Sequence, residues 1–357
     1  MRRIWVQLAV LLACCGLAHE AAADGKCANV DCNAVQKICY ATLDLDPVTC
    51  GLYYGCCYGQ NEKPSSELEP PEPADSALTV GPAEIVTATA PSGASAKKTC
   101  VILAADKNGR VFYNWWKTGQ GGHGWKELEG GRQTDATPAG ALVGKYLFVM
   151  IKGLDKKIYL NQGDIASKFN GWQNMGFASE VAPSAASSGN TAVAVAVKKG
   201  RVYYNWWQLG QGGSGWKSLQ NNITTDVAPA ASLIGGYLFV VIKGIDGNLY
   251  LNQGGLGKPF VGWQRMGDLQ TNRAVGATSS GDTAAVVATN REGRVFYNYW
   301  KLGEGGHGWK ELEGGGRTDA APAASLVGDY LFVAIKGPNG NIQLNQGNLE
   351  NPFVGWR

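Results

Sequence analysis

The sequence NWWKTGQGGHGWKEL at Asn114–Leu128 decides the fold, because the chain contains it three times. It returns as NWWQLGQGGSGWKSL at Asn205–Leu219 and as NYWKLGEGGHGWKEL at Asn298–Leu312. The copies start 91 and 93 residues apart. Similarity at a nearly fixed period indicates a repeat architecture.

A second repeated string lies midway in each copy. It has the sequences YLFVMIKGLDKKIYLNQG, YLFVVIKGIDGNLYLNQG and YLFVAIKGPNGNIQLNQG, which start at Tyr146, Tyr237 and Tyr330. Both halves of a copy consist of an apolar run, a Gly-containing turn, a second run with aromatics and a Gly-Trp end, so the basic unit has ~45 residues. That length suits a propeller blade of four short strands. We therefore predict an all-β fold, a six-bladed β-propeller built from three two-blade repeats.

The local patterns agree with this prediction. Uninterrupted apolar runs such as LFVVI are typical of strands buried on both faces near a central axis. Asp246-Gly247-Asn248 and Asn108-Gly109 are typical hairpin turns. Residues 100–357 show no sustained helical periodicity, and no apolar run beyond the N-terminus is long enough for a membrane span. With 45% apolar and 17% charged residues, general disorder is excluded.

Residues 83–96 are expected to complete the last blade. The sixth unit stops at Trp356-Arg357, before its outer strand, while Ala83–Ala94 resembles the segments Ser179–Asn190 and Asn272–Asp282. We expect the segment 83–96 to pair with the last blade and close the ring, because closure removes open sheet edges. The propeller would then span residues 83–357, with Cys100 as a buried free thiol on an inner strand.

The first 23 residues have the pattern of a signal peptide. Arg2-Arg3 precede an apolar stretch at Ile4–Ala18 and a small-residue cleavage site at Ala21-Ala22-Ala23. The alternative is a lipoprotein, because Leu11-Leu12-Ala13-Cys14 resembles a lipobox that would anchor the chain through Cys14. Both alternatives predict export, to a secreted or extracellular location.

Residues 24–59 form a predicted disulfide-rich module. An even set of cysteines in a short exported segment indicates a framework of three bridges, for which 15 pairings are open. A zinc cluster is the weaker alternative, since the segment has no CxxC pair and no histidine. Residues 60–82 are a linker rich in Pro, Glu and Ser. The predicted disulfide cysteines are Cys27, Cys32, Cys39, Cys50, Cys56 and Cys57.

Four strings of one unit carry a family resemblance. They are LFVVIKG at Leu238–Gly244, NLYLNQ at Asn248–Gln253, GWQRMG at Gly262–Gly267 and APAASL at Ala228–Leu233. In these strings the chain resembles the PLL-like β-propeller lectins, over nearly all of residues 83–357. The resemblance implies glycan partners, with monosaccharide ends of the fucose or galactose type held in clefts between neighbouring blades. Lysine replaces the arginine of the family's apolar strand at Lys152, Lys243 and Lys336.

The residue types themselves also indicate sugar sites, although more weakly than the family resemblance does. A pyranose offers one apolar face and several hydroxyls, so its cleft needs an aromatic plate and fixed amides. Each copy supplies an Asn and a Trp on one strand, a Gly-rich turn through which backbone groups could approach a ligand, and a second Trp. The predicted ligand-binding residues are Asn114, Trp116, Trp125, Asn205, Trp207, Trp216, Asn298, Trp300 and Trp309.

Two points about these candidates stay open. One of Trp115 and Trp116 faces inward and the other outward, because strand side chains alternate, and the sequence does not say which. If the second tryptophan belongs to the core, the amides of the second string become the better candidates. These are Asn161, Asn252 and Asn345.

The replicated polar features argue against catalysis. Histidine is limited to His19, His123 and His307, which weakens a His-based triad or metal site, and Ser214 replaces histidine in the middle copy. Three similar sites suit multivalent binding, whereas propeller hydrolases need one set of convergent groups. We predict a non-enzymatic glycan-binding protein without catalytic residues, metal or cofactor.

The weak positive charge of residues 100–357 does not indicate nucleic-acid binding. A protein–protein interaction propeller is the alternative, and a glycoside hydrolase the weaker one.

Overall fold

The computed structural model describes residues 87–356, apart from 88, 97–98, 118–122, 220–221, 338–341 and 352. The predicted signal peptide, Cys-rich module and linker lie outside the described residues. The description also excludes five side chains within strands. These are Cys100, Trp116, Lys117, Val327 and Ile342.

Twenty-three strands form six antiparallel sheets in the described part of the chain, and neighbours in sequence are neighbours in each sheet. Every sheet is therefore an up-and-down blade. Blades 1 to 3 comprise β1 (Ser92–Ala96), β2 (Thr99–Ala105), β3 (Val111–Lys117) and β4 (Lys126–Glu127); β5 (Ala139–Val143), β6 (Tyr146–Lys152), β7 (Lys157–Asp164) and β8 (Gln173–Ala178); and β9 (Ser184–Ser188), β10 (Thr191–Lys198), β11 (Arg201–Gln208) and β12 (Lys217–Ser218).

Blades 4 and 5 also have four strands, and blade 6 has three in the described residues. The prediction of an all-β, six-bladed propeller is confirmed. The described residues contain no helix long and apolar enough to cross a membrane. Blades 4 to 6 comprise β13 (Ala230–Ile234), β14 (Tyr237–Lys243), β15 (Asn248–Gly255) and β16 (Gln264–Gln270); β17 (Gly276–Ser280), β18 (Thr283–Thr289), β19 (Val295–Lys301) and β20 (Lys310–Glu311); and β21 (Ala323–Val327), β22 (Tyr330–Lys336) and β23 (Ile342–Asn348).

The first strand of each blade lies innermost. In chain order, β1, β5, β9, β13, β17 and β21 each pack beside the next. Alanine, serine and glycine dominate these strands, and their small side chains let neighbouring inner strands approach closely. Hydroxyls also join them: Ser188 Oγ accepts a hydrogen bond from Gly235 N at 3.1 Å, and Ser280 Oγ accepts one from Gly328 N at 3.0 Å.

The placement predicted for residues 83–96 is wrong where the structure describes it. Ser92–Ala96 pairs with Thr99–Ala105 as the inner strand of blade 1, not with the last blade. Ala96 opposes Thr99 just as Ser188 opposes Thr191, so the segment corresponds to the inner strands β9 and β17. A hairpin with the next strand closes a far shorter loop than pairing with the other end of the chain, so its entropic cost is lower.

The cores lie between blades rather than at one centre. Blades 1–2, 3–4 and 5–6 enclose three similar clusters, which we call the intra-repeat interfaces of repeats 1, 2 and 3. Blades 2–3 and 4–5 enclose the inter-repeat interfaces. The run LFVVI of β14 is fully buried, as predicted, because its alternate side chains enter one interface of each kind.

A Thr-Asp pair begins each even-numbered blade and acts as a turn cap. Thr134 Oγ1 accepts a hydrogen bond from Ala136 N and donates one to Lys152 O. The Lys152 ammonium pairs with Asp135, and Lys243 pairs with Asp226 in the same way. The hydrogen bond from Lys243 lowers the pKa of the Asp226 carboxyl. These lysines therefore brace the start of their own blade.

Candidate functional site

The repeated Asn-aromatic-aromatic string lies on the third strand of each odd-numbered blade. Side chains on β3, β11 and β19 alternate between the two interfaces that each blade faces. Trp115, Trp206 and Tyr299 enter the intra-repeat interfaces. Trp207 and Trp300 enter the inter-repeat interfaces. The first aromatic of the pair therefore faces one kind of cleft and the second aromatic the other.

Trp207 and Trp300 belong to the core. Their exposed fractions are only 6% and 7%, so neither ring offers a face to a solvent-borne sugar. The Gly-rich turns fold back on them: a Cβ added at Gly213 would lie 2.6 Å from Trp207 Nε1, and one at Gly306 would lie 2.5 Å from Trp300 Nε1. The structure therefore does not support these two tryptophans as sugar plates. The backbone of the Gly-rich turns, which we expect to approach a ligand closely, instead approaches the indole rings. The Trp116 side chain lies outside the described part.

We expect Gly306→Ala to destabilise the fold by about 1–3 kcal/mol, because its Cβ would overlap a buried indole that cannot move aside. Gly305→Ala is the matched control, since a Cβ there meets nothing within 4 Å. Chemical denaturation of both variants measures the difference. Equal unfolding midpoints would contradict the packing of Trp300 against this turn.

The asparagines of the string are buried as well. Asn114, Asn205 and Asn298 are at most 6% exposed. Asn114 Oδ1 accepts a hydrogen bond from Trp115 N at 2.8 Å, a contact within the strand. The other two Oδ1 atoms are buried without a hydrogen-bond partner among the described residues. The structure thus gives these three predicted ligands no route to solvent.

The tryptophans that follow the Gly-rich turns join neighbouring blades. Trp216 Nε1 donates to Met175 O at 3.0 Å, and the Trp216 ring stacks on Phe177 with centroids 4.3 Å apart. Trp309 Nε1 donates to Met266 O at 2.6 Å. Both rings are partly exposed, as is Trp125 at the same position of blade 1. Trp216 and Trp309 therefore tie the outer edges of the inter-repeat interfaces together and retain some exposed surface there.

The alternative amide set is structural. Asn161, Asn252 and Asn345 are 0% exposed. Asn252 Nδ2 donates to Leu219 O at 3.2 Å, and Asn252 Oδ1 accepts from Gly262 N at 3.0 Å. In repeat 3, Asn345 Nδ2 donates to Glu313 O at 3.0 Å, and Asn345 Oδ1 accepts from Gly355 N at 3.1 Å. In repeats 2 and 3 these amides hold the Gly-Trp end of an even-numbered blade to the preceding blade, whereas Asn161 Oδ1 is buried without a hydrogen-bond partner among the described residues. All three amides are too deeply buried to be available to a ligand.

The aromatic residues of the intra-repeat interfaces differ in what covers them. The His123 ring stacks on Trp115 with centroids 3.4 Å apart, and the His307 ring stacks on Tyr299 at 4.0 Å. Trp115 and Tyr299 are 5% and 2% exposed. Trp206 has no histidine above it and is partly exposed, with Lys217 Nζ 4.5 Å from the centroid of its ring. The sequence pattern favours the second aromatic, and in the sequence the difference between the repeats shows only as the exchange of His123 and His307 for Ser214.

Charge surrounds the aromatic residue of repeat 3. Lys301 Nζ lies 3.2 Å from Glu350 Oε1, and this hydrogen bond raises the pKa of the lysine. Burial raises the pKa of the Tyr299 hydroxyl, and the negative charge of Glu350 raises it further. The described residues contain no group of three or more His, Cys, Asp or Glu side chains placed to hold a metal. The intra-repeat interfaces of repeats 2 and 3 therefore each contain an aromatic ring with charged side chains beside it.

The fold is a six-bladed β-propeller, and solved structures share this fold. The BP39L lectin from Burkholderia pseudomallei matches with a TM-score of 0.61 and 17% identity, over 74% of this chain and 83% of its own. A lectin from Aleuria aurantia, reported with a six-bladed β-propeller fold and a novel fucose recognition mode, gives 0.53 and 14%, over 75% and 92%. The SapL1 lectin, in complex with α-methyl fucoside, gives 0.52 and 15%, over 75% and 93%.

These likenesses establish the fold. No family model matches the sequence, and the search of curated proteins gives no match.

Proposed function

We propose that this protein is a lectin that binds glycans in the clefts between propeller blades, without chemistry on them. The observation that carries the proposal is the shared propeller fold with BP39L, the Aleuria aurantia lectin and SapL1. The resemblance of the repeat strings to PLL-like lectins points the same way. Ligands with fucose-type or galactose-type ends follow from that resemblance, and a fucoside is bound by SapL1.

The proposal also covers the protein's location. A secreted lectin, or one anchored at Cys14, would meet glycans on surfaces outside the cell, which fits the signal-like pattern of residues 1–23. The predicted disulfide-rich module at residues 24–59 would fold in the same oxidising compartment. Weak single sites suffice for such a role when several act together on a glycan-coated surface.

A glycan array tests the proposal. The purified protein is displayed on fluorescent beads, so that many copies contact the surface and weak sites still register. We expect binding to a subset of glycans, competed away by free monosaccharide. A blank array would contradict the lectin function and favour the protein–protein interaction propeller, whereas release of sugar from the array would favour the hydrolase.

A further inference from the structure

The three repeats hold one backbone position identically above the intra-repeat aromatic residue. The backbone N–H of His123 donates to Trp115 O at 3.2 Å, and that of His307 donates to Tyr299 O at 3.1 Å. In repeat 2 the N–H of Ser214 donates to Trp206 O at 3.0 Å. Since the backbone is the same, only the side chain decides whether the ring is covered.

Two further positions carry smaller residues in repeat 2 than in repeats 1 and 3. A backbone hydrogen bond that recurs in all three repeats identifies the equivalent positions. It joins Ile165 N to Lys145 O, Leu256 N to Gly236 O, and Leu349 N to Asp329 O. At the acceptor position repeat 2 has glycine where repeats 1 and 3 have charged residues. One residue after the donor, Gly257 stands where the others have Ala166 and Glu350.

The smaller residues of repeat 2 leave fewer side-chain atoms around the Trp206 ring. A Cβ at Gly257 would lie 3.5 Å from Trp206, so any larger side chain there would lie against the indole. In repeat 3, Glu350 occupies the position of Gly257 and pairs with Lys301, two residues after Tyr299 on the same strand. Ser214 and Gly257 therefore leave the Trp206 ring less covered than its counterparts in repeats 1 and 3.

We infer that Trp206 is an open stacking plate for a neutral pyranose, and that His123 and His307 occupy the corresponding place in repeats 1 and 3. The inference rests on the proposed lectin function and deepens it. The three repeats, despite their similarity, would then present one intra-repeat site rather than three.

The groups around Trp206 suit a neutral sugar. The indole offers an apolar face, and Lys217 Nζ, 4.5 Å from its centroid, is a donor for a ring or hydroxyl oxygen. Lys310 holds a similar place over Tyr299, so the lysine is common to both repeats and does not replace the histidine. Gln208, two residues after Trp206 on β11, is exposed and carries an uncharged amide. Repeat 3 instead surrounds its aromatic residue with an ion pair.

Ser214→His tests the inference with the bead-displayed protein on the glycan array. The histidine is expected to stack on Trp206 as it does in repeats 1 and 3, and to lower binding at least about ten-fold by filling the stacking face. Ser214→Ala is the matched control and should keep its signal, because it leaves the ring open. Both substitutions are at an exposed site, and the backbone there already carries histidine in the other repeats.

The converse variant opens a closed cleft. His123→Ser with Ala166→Gly gives repeat 1 the small residues of repeat 2 and should raise binding, because it uncovers Trp115. If the unmodified protein binds glycans and Ser214→His binds equally well, the inference is overturned while the lectin function stands. If the unmodified protein gives a blank array, both are overturned. Loss in Ser214→His with retention in Ser214→Ala supports the inference.

Discussion

Replacing Trp300 by alanine is expected to lower the free energy of unfolding by about 3–5 kcal/mol. The ring is 7% exposed and packs in the cluster that joins blades 4 and 5. Its removal would leave a cavity between the turn at Gly306 and the neighbouring blade, and the surrounding structure cannot relax enough to close it. Trp207→Ala should act similarly in the cluster between blades 2 and 3. Urea denaturation measures both values.

Trp206→Ala is the matched control for this experiment. The residue lies next to Trp207 on the same strand, but it is partly exposed and faces the other interface. We therefore expect a smaller loss of stability and, on the inference above, a loss of glycan binding. Unchanged unfolding of Trp300→Ala together with a loss of glycan binding would contradict the structure and restore the second aromatic as the sugar plate.

Asn252→Leu is expected to cost about 2–4 kcal/mol. The side chain is fully buried. Its Nδ2 donates to Leu219 O and its Oδ1 accepts from Gly262 N, so both backbone groups would lose their hydrogen bond to the amide. Leucine has a similar size but offers neither the donor nor the acceptor. The free energy of unfolding from chemical denaturation measures the loss.

Gln253→Ala provides the comparison, because that side chain is the next on the strand and is partly exposed. It should change stability by less than about 1 kcal/mol. If Asn252→Leu were as stable as Gln253→Ala, the amide would not be the link between blades 3 and 4 that its hydrogen bonds indicate.

The repeats and turns predict the architecture well because they are local features. The strings at Asn114, Asn205 and Asn298, with glycine turns such as Gly109 and Gly247, are enough to count six blades and to exclude helices. The pairing of the inner strand Ser92–Ala96 does not follow from the repeats, because similarity to other copies identifies only the kind of strand. It does not identify the partner with which the strand pairs.

The candidate site was harder to predict, because exposure depends on the neighbouring blade. Strand alternation separates Trp206 from Trp207, but only the packing of blades 2, 3 and 4 determines which ring is covered. The exchange of His123 and His307 for Ser214 was visible in the sequence. Its meaning as the loss of a ring cover needs the stacking geometry of Trp115 and Tyr299.

A crystal structure of the protein with α-methyl fucoside shows directly whether Trp206 is the sugar-binding ring. We expect the pyranose to lie on Trp206 within reach of Lys217, while His123 and His307 remain stacked on their own aromatic rings. A fucoside bound instead against Trp216 or Trp309, or no bound sugar at saturating concentration, would contradict the account.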